Sequence, residues 1–207
     1  MSMTFQVLPS NKNIPHYKEI LELANLFVNN YLLKIGVNKN IALDVNVYNI
    51  KTSKSKIFTI EDAVVTDEES YAWFSVNNIS GGTDCYFLKN NPIYAEIWED
   101  DLHTNTKAQE NKIIIRKNID IGYRWLFRRS AGQPAIITLS YGMLAASLAK
   151  LTDGVIFSDD GAWDYTMLPA KSENFVEWYL SPELTENKDC KKIAQDCIGY
   201  LQNNKYN

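Results

Sequence analysis

Residues 135–149 read AIITLSYGMLAASLA, fifteen positions without a charged side chain. A helix that is apolar on every side has no face to give to water, so other elements must enclose it. A bilayer would also enclose it, but as a helix the run rises only ~22 Å, short of the ~30 Å hydrocarbon layer. The helix is therefore expected at the centre of a packed domain. Gly142, Ala145, Ala146, Ser147 and Ala149 would let its neighbours approach closely. The rest of the chain must supply the cover. With 207 residues, 45% apolar and 12% aromatic, it has the material for one domain over 1–207.

Periodicity divides that material into helices and strands. From 15 to 35, Tyr17, Ile20, Leu21, Ala24, Phe27, Val28, Tyr31, Leu32 and Ile35 step by threes and fours, which predicts an amphipathic helix between Pro15 and Gly36. From 41 to 50, Ile41, Leu43, Val45 and Val47 alternate with Asp44, Asn46 and Tyr48, the period of a half-buried strand. Further strands are expected at 70–76, 85–88, 93–99 and 112–116, with a turn at 80–84 and a loop at 100–111. A short buried strand, VIF, follows the central helix, and a last helix runs from 187 to 202 with Cys190, Ile193, Ala194, Cys197, Ile198 and Leu201 on one face. The expected fold is α+β: an antiparallel sheet of about five or six strands with three helices packed on it.

Charge narrows the function. The net charge of −4 is too small for a nucleic-acid binder that works by bulk charge. It is also uneven. Between Ile60 and Glu110 eleven acids face two lysines, a local −9 that leaves +5 for the remainder. Such asymmetry suggests an acidic surface for a basic partner, with Asp67, Glu68, Glu69, Glu99, Asp100 and Asp101 the candidate contacts. A solvated face is the bland alternative. The start, MSMTFQVLPSNKN, lacks the basic-then-apolar pattern of a signal peptide, and three cysteines without an export signal suggest reduced thiols in a cytoplasm. Cys190 and Cys197 lie ~10 Å apart along one helix, too far to bridge. No Cys-x-x-Cys, GxSxG, HExxH, GxGxxG or phosphate-loop pattern is present, so neither an enzyme nor a bound cofactor is expected.

Two stretches carry candidate chemistry. In FSDDGAWDY, 157–165, Asp159, Asp160 and Asp164 surround Gly161 and Trp163. Three carboxylates could hold Mg²⁺ or Ca²⁺ for a metal-dependent hydrolase. The EF-hand spacing is absent, however, and a glycine beside aspartates just after an apolar run is the chemistry of a turn. The turn is the favoured reading, with Trp163 anchoring the chain on the core. In IGYRWLFRRSAGQP, 121–134, Arg124 and Arg128 are four apart and on a helix would share a face. With Arg116, Lys117 and Arg129 they could bind phosphate or RNA in a nucleic-acid-binding accessory protein. Internal pairing of Arg124 and Arg128 with the aspartates of 159–164 is the favoured alternative.

The stretch YRWLFRRSAGQPAIITLSYGMLAASLAKLTDGVIFSDDGAWDY, followed by LPAKSENFVEWY, resembles the immunity proteins of bacterial contact-dependent inhibition and related polymorphic toxin systems. The likeness spans 123–179. In those proteins an alanine-rich apolar helix leads into a serine–aspartate–aspartate motif and a tryptophan. The resemblance implies a cytoplasmic, non-enzymatic protein that binds and neutralises the toxic domain of a neighbour's effector. Many such toxins are nucleases with basic surfaces, which an acidic segment would attract.

Overall fold

A computed structural model describes residues 2–203. The fold is α+β, with seven antiparallel strands in one sheet and seven α-helices among these residues. The strands are β1 (Ser2–Leu8), β2 (Leu43–Asn49), β3 (Ser70–Val76), β4 (Thr83–Lys89), β5 (Tyr123–Ser130), β6 (Val155–Phe157) and β7 (Ala170–Lys171). Their order across the sheet is β2-β3-β4-β5-β1-β6-β7. The helices are α1 (Tyr17–Lys34), α2 (Pro92–Thr104), α3 (Thr106–Glu110), α4 (Lys112–Ile121), α5 (Ala135–Leu151), α6 (Ser172–Trp178) and α7 (Lys188–Gln202). No helix among the described residues is long and apolar enough to cross a membrane.

The charge-free run is α5, and every residue from Ala135 to Ala149 is buried. The sheet lies on one side of it, and α1, α6 and α7 close the others. Phe5 of β1 stacks on Tyr141 at 4.7 Å, and Tyr179 donates to the Thr138 carbonyl at 2.8 Å. The small residues act as expected. A Cβ added at Gly142 would lie 2.1 Å from the Tyr179 ring. Packing decides the residue there, over helix propensity.

The helices at 15–35 and 187–202 and the strands at 41–50, 70–76 and 85–88 are present within a few residues of their expected bounds. Two expected strands are helices instead. In 93–99, expected as a strand, Ile93 is 62% and Ile97 53% exposed. The buried residues are Tyr94 and Trp98, four apart, and Pro92 at the first turn with Asn91 accepting from the Tyr94 amide starts a helix. In 112–116 three consecutive isoleucines hid the period; Ile115 and Asn118 are buried while Ile113 is exposed. The expected loop at 100–111 is helical as well, broken at Asn105, whose side chain caps α3. Residues 123–130 form a strand rather than a helix. β1, unforeseen, enters the middle of the sheet, and α6 and β7 are likewise additions to the expected set.

The sheet is covered unequally. α2 packs on the face opposite α5: Trp98 lies 4.6 Å from Phe157 of β6, and Tyr94 bonds Asn118 of α4 at 3.0 Å. These helices cover β5, β1 and β6, whereas the same face of β2, β3 and β4 stays partly exposed. The outer edge of β2 is blunted. Asn25 accepts from the Leu43 amide, Asp44 from the Val45 amide, and residues 54–56 return to bond Val47 and Asn49. A partner therefore finds no free edge there to extend.

Gly142→Ala tests the enclosure of α5. Helix propensity alone would favour alanine by about 1 kcal/mol. The clash with Tyr179 is expected to outweigh this and lower stability by roughly 1–3 kcal/mol in urea unfolding. Equal or higher stability would mean that the Tyr179 contact does not constrain the helix.

Candidate partner-binding face

On the uncovered half of the sheet, outward positions that usually carry polar residues carry aromatic ones. Tyr48 and Tyr71 are directly opposed in the β2–β3 register, their rings 5.9 Å apart, and Tyr86 of β4 follows at 5.7 Å from Tyr71. The three rings form a ladder across three strands. Trp73 lies one register step along and packs on Gly82, where a Cβ would come within 2.6 Å of the indole. All four are partly exposed. Tyrosine and tryptophan present large, stiff contact area and are the residues in which protein interfaces concentrate binding energy.

Arg128 of β5 completes the ladder, its guanidinium 5.9 Å from the Tyr86 ring. It faces Asp84 directly in the β4–β5 register and donates to it at 2.7 Å through Nε. The Asp84 hydrogen bond raises the Arg128 pKa. Burial, followed by the Asp84 charge, raises the phenols of Tyr71 and Tyr86. The face is thus an uncharged aromatic strip bounded by one neutralised ion pair.

Beside it the sheet splits. The β3–β4 ladder ends at Ala72↔Cys85, while β4 continues on β5 as far as Lys89↔Tyr123. Residues 65–70 stand in for β3, and the Phe87 amide donates to the Thr66 hydroxyl at 3.0 Å. Between them lies a groove of about 530 Å³ lined by Val65, Tyr86, Phe87 and Leu88, with Asp67, Glu68 and Lys89.

The six candidate acids do not lie together. Asp67, Glu68 and Glu69 lie beside β3 and β4. Glu99, Asp100 and Asp101 are on α2 beside β6, because Asp101 accepts from Tyr165 and Trp98 packs on Phe157. Three strand spacings separate β4 from β6, roughly 14 Å. In the first group Asp67 is paired with Lys56 and Glu69 with Lys51, leaving Glu68 without an ion pair among the described residues. Lys56 and the Ser70 hydroxyl hold the Asp67 carboxyl below its usual range. In the second group burial raises Asp101, and the charges of Asp159 and Asp100 add to this.

The 157–165 stretch is a turn tied in three directions. β6 ends opposite Gln6, and beyond it the Asp160 carboxylate accepts from the Thr4 amide at 3.0 Å and its hydroxyl at 2.8 Å, in place of a further strand residue. Ser158 donates to Asp160 and accepts from the Ala162 amide, and Gly161 has φ +80°. Asp164 caps a single 3₁₀ turn at Tyr165–Met167 and accepts from the hydroxyls of Thr166 and Thr185 at 2.7 and 2.9 Å. Trp163 is buried and stacks on Trp178. Asp159 differs from the other two. It is exposed and makes no hydrogen bond or ion pair among the described residues.

The expected pairing of Arg124 and Arg128 with these aspartates is not formed. Arg128 is held by Asp84, whereas Arg124 bonds Gln6 and Asn90 at 3.0 and 2.9 Å and lies 4.2 Å over Tyr94. Four residues apart put two side chains on one face of a strand as well as of a helix, and the strand aims them at different partners. The three cysteines are free and buried, with burial lifting Cys190 to about 11, Cys197 to about 12 and Cys85 further still. His16 caps α1 together with Glu19, and His103 is exposed on α2.

Comparison of the chain with protein-family models, curated proteins and solved structures gives no match.

Asp164 provides a test of the turn. Burial alone would raise its pKa, but the bonds from Thr166, Thr185 and the Asn187 amide bring it below the usual carboxylate value. A depressed folded pKa means stability that is complete at neutral pH and is lost as pH falls through the carboxylate range. Asp164→Ala is expected to cost roughly 2–3 kcal/mol at pH 7 and less at pH 3, measured by urea unfolding. A pH-independent difference would assign the loss to shape rather than charge.

Proposed function

We propose that this chain is an immunity protein, which neutralises a toxic protein domain in the cytoplasm by binding it, without catalysis or a cofactor. The observation that carries this reading is the half-sheet left without a helix, with Tyr48, Tyr71, Trp73 and Tyr86 across it. Single exposed apolar residues are common on surfaces, but an aligned aromatic ladder is the composition of an interface core. The blunted β2 edge favours docking on the face over strand addition at that edge. The resemblance of residues 123–179 to immunity proteins supplies the kind of partner.

Charge supplies the partner's complement. Asp44 and Glu68 flank the ladder, exposed and without ion pairs among the described residues, and Arg128 is neutralised by Asp84. A partner with a basic rim around an apolar centre fits this surface, as a nuclease domain would. A nucleic acid fits poorly, because the same acids repel its phosphates and the one arginine on the strip is already paired. The hydrolase reading loses two of its three ligands to protein donors, since Asp160 accepts from Thr4 and Asp164 from Thr166 and Thr185.

The test is affinity for the product of a toxin gene adjacent to this one. The Tyr71→Ala, Tyr86→Ala double variant is expected to weaken binding by at least 100-fold, ~2.7 kcal/mol. Its circular dichroism should be unchanged. Glu68→Lys should slow association more at low salt than at high salt. Changing Glu99, Asp100 and Asp101 to lysine should leave affinity within a few-fold. Loss of binding in that triple variant, with the tyrosine variant intact, would move the interface to α2.

A further inference from the structure

Arg129 is out of place in the sheet. Trp125 and Phe127, which precede it in alternation on β5, are fully buried on the side that faces α5, and Arg129 points the same way. Arg129 is half-buried, and an arginine drawn partly out of water gains from a carboxylate partner. This one meets none among the described residues. Nη1 donates to the carbonyl of Ser130 at 3.3 Å, and Nη2 reaches only the thioether of Met3 at 3.6 Å. Nε is buried and has no acceptor. The guanidinium lies 5.6 Å from the Tyr141 ring, which attracts its charge but accepts no proton from Nε. A thioether is a weak acceptor.

Arg129 lines an open groove of about 370 Å³. Gly132, Gln133 and Ala135, from the β5–α5 connection and the start of α5, form one wall, and Ile193 and Tyr200 of α7 another. The start of α5 adds donors. Pro134 offers no side-chain cap, and the helix amides of Ile137 and Thr138 are the first to bond back to its carbonyl. The Ala135 amide precedes these and has no intrahelical partner. Asp196 also lines the groove, but no salt bridge joins it to Arg129. Its charge would weaken a bound anion without replacing it.

We propose that this groove binds a small organic oxyanion, with a carboxylate or phosphate head on Arg129 and an apolar body against Ile193 and Tyr200. Arginine's planar fork matches both head groups. The groove exceeds what a bare ion fills, and its apolar wall favours a ligand with a hydrocarbon part. The site faces the α5 side of the sheet, away from the tyrosine ladder, so it neither requires nor excludes a toxin partner.

Titration of the ¹⁵N-labelled full chain with inorganic phosphate, benzoate and phenyl phosphate at constant ionic strength tests this by NMR. Saturable shifts are expected at Arg129 and residues 131–135. Phenyl phosphate should bind at least tenfold more tightly than inorganic phosphate, and benzoate against phenyl phosphate decides the head group. Arg129→Gln should abolish saturation. Should that variant unfold, Ala131→Glu on the exposed connection places a negative charge at the groove and should weaken binding at least tenfold. Shifts that never saturate, or saturation unchanged in these variants, would overturn the site.

Discussion

Burial of α5 governs the arrangement of everything around it. A helix with no polar face has to be wrapped, and four elements do this: the sheet beneath it and α1, α6 and α7 around it. Close approach depends on small residues, most tightly at Gly142 under Tyr179. That enclosure takes α1, α6 and α7 to one side of the sheet. The helices left for the other side, α2 to α4, include a five-residue α3 and cover only β5, β1 and β6. With this division the outer face of β2, β3 and β4 stays partly exposed. The chain furnishes that half with tyrosine and tryptophan instead of the polar residues water would favour.

The acid-rich turn after α5 belongs to the same logic. β6 is three residues long and leaves the Thr4 amide of β1 without a strand partner. Asp160 supplies the acceptor, Gly161 the left-handed backbone, and Asp164 the link to Thr185 ahead of α7. A stretch that looks like a ligand set in one dimension becomes, in three, the joint between the sheet and the last helices.

Legibility in the sequence followed the strength of each local signal. α1, α5 and α7 were readable because long apolar periods have few alternatives, and β2 because its alternation is clean. Residues 93–99 misled because Ile93 and Ile97, the most apolar side chains there, are exposed while Tyr94 and Trp98 carry the burial. Hydrophobicity alone cannot rank them, since the choice depends on what Phe157 and Arg124 offer from distant strands. The pairing of Arg128 with Asp84 was hidden for the same reason: strand register joins residues 44 positions apart. The tyrosine ladder had a faint signal in Tyr48, set among the outward positions of β2. Its meaning needed the β2–β3–β4 order and the absence, among the described residues, of a helix above it.

Whether the ladder is the contact surface can be read at the side chains themselves. Hydroxyl-radical footprinting of the protein, free and in the presence of a candidate toxin domain encoded beside it, reports the solvent access of each aromatic ring. Tyr71, Trp73 and Tyr86 are expected to lose reactivity on binding, while Tyr165 beside α2 and Tyr200 on α7, both well exposed, keep theirs. Protection of Tyr165 or Tyr200 with the ladder unchanged would contradict the account and place the partner elsewhere.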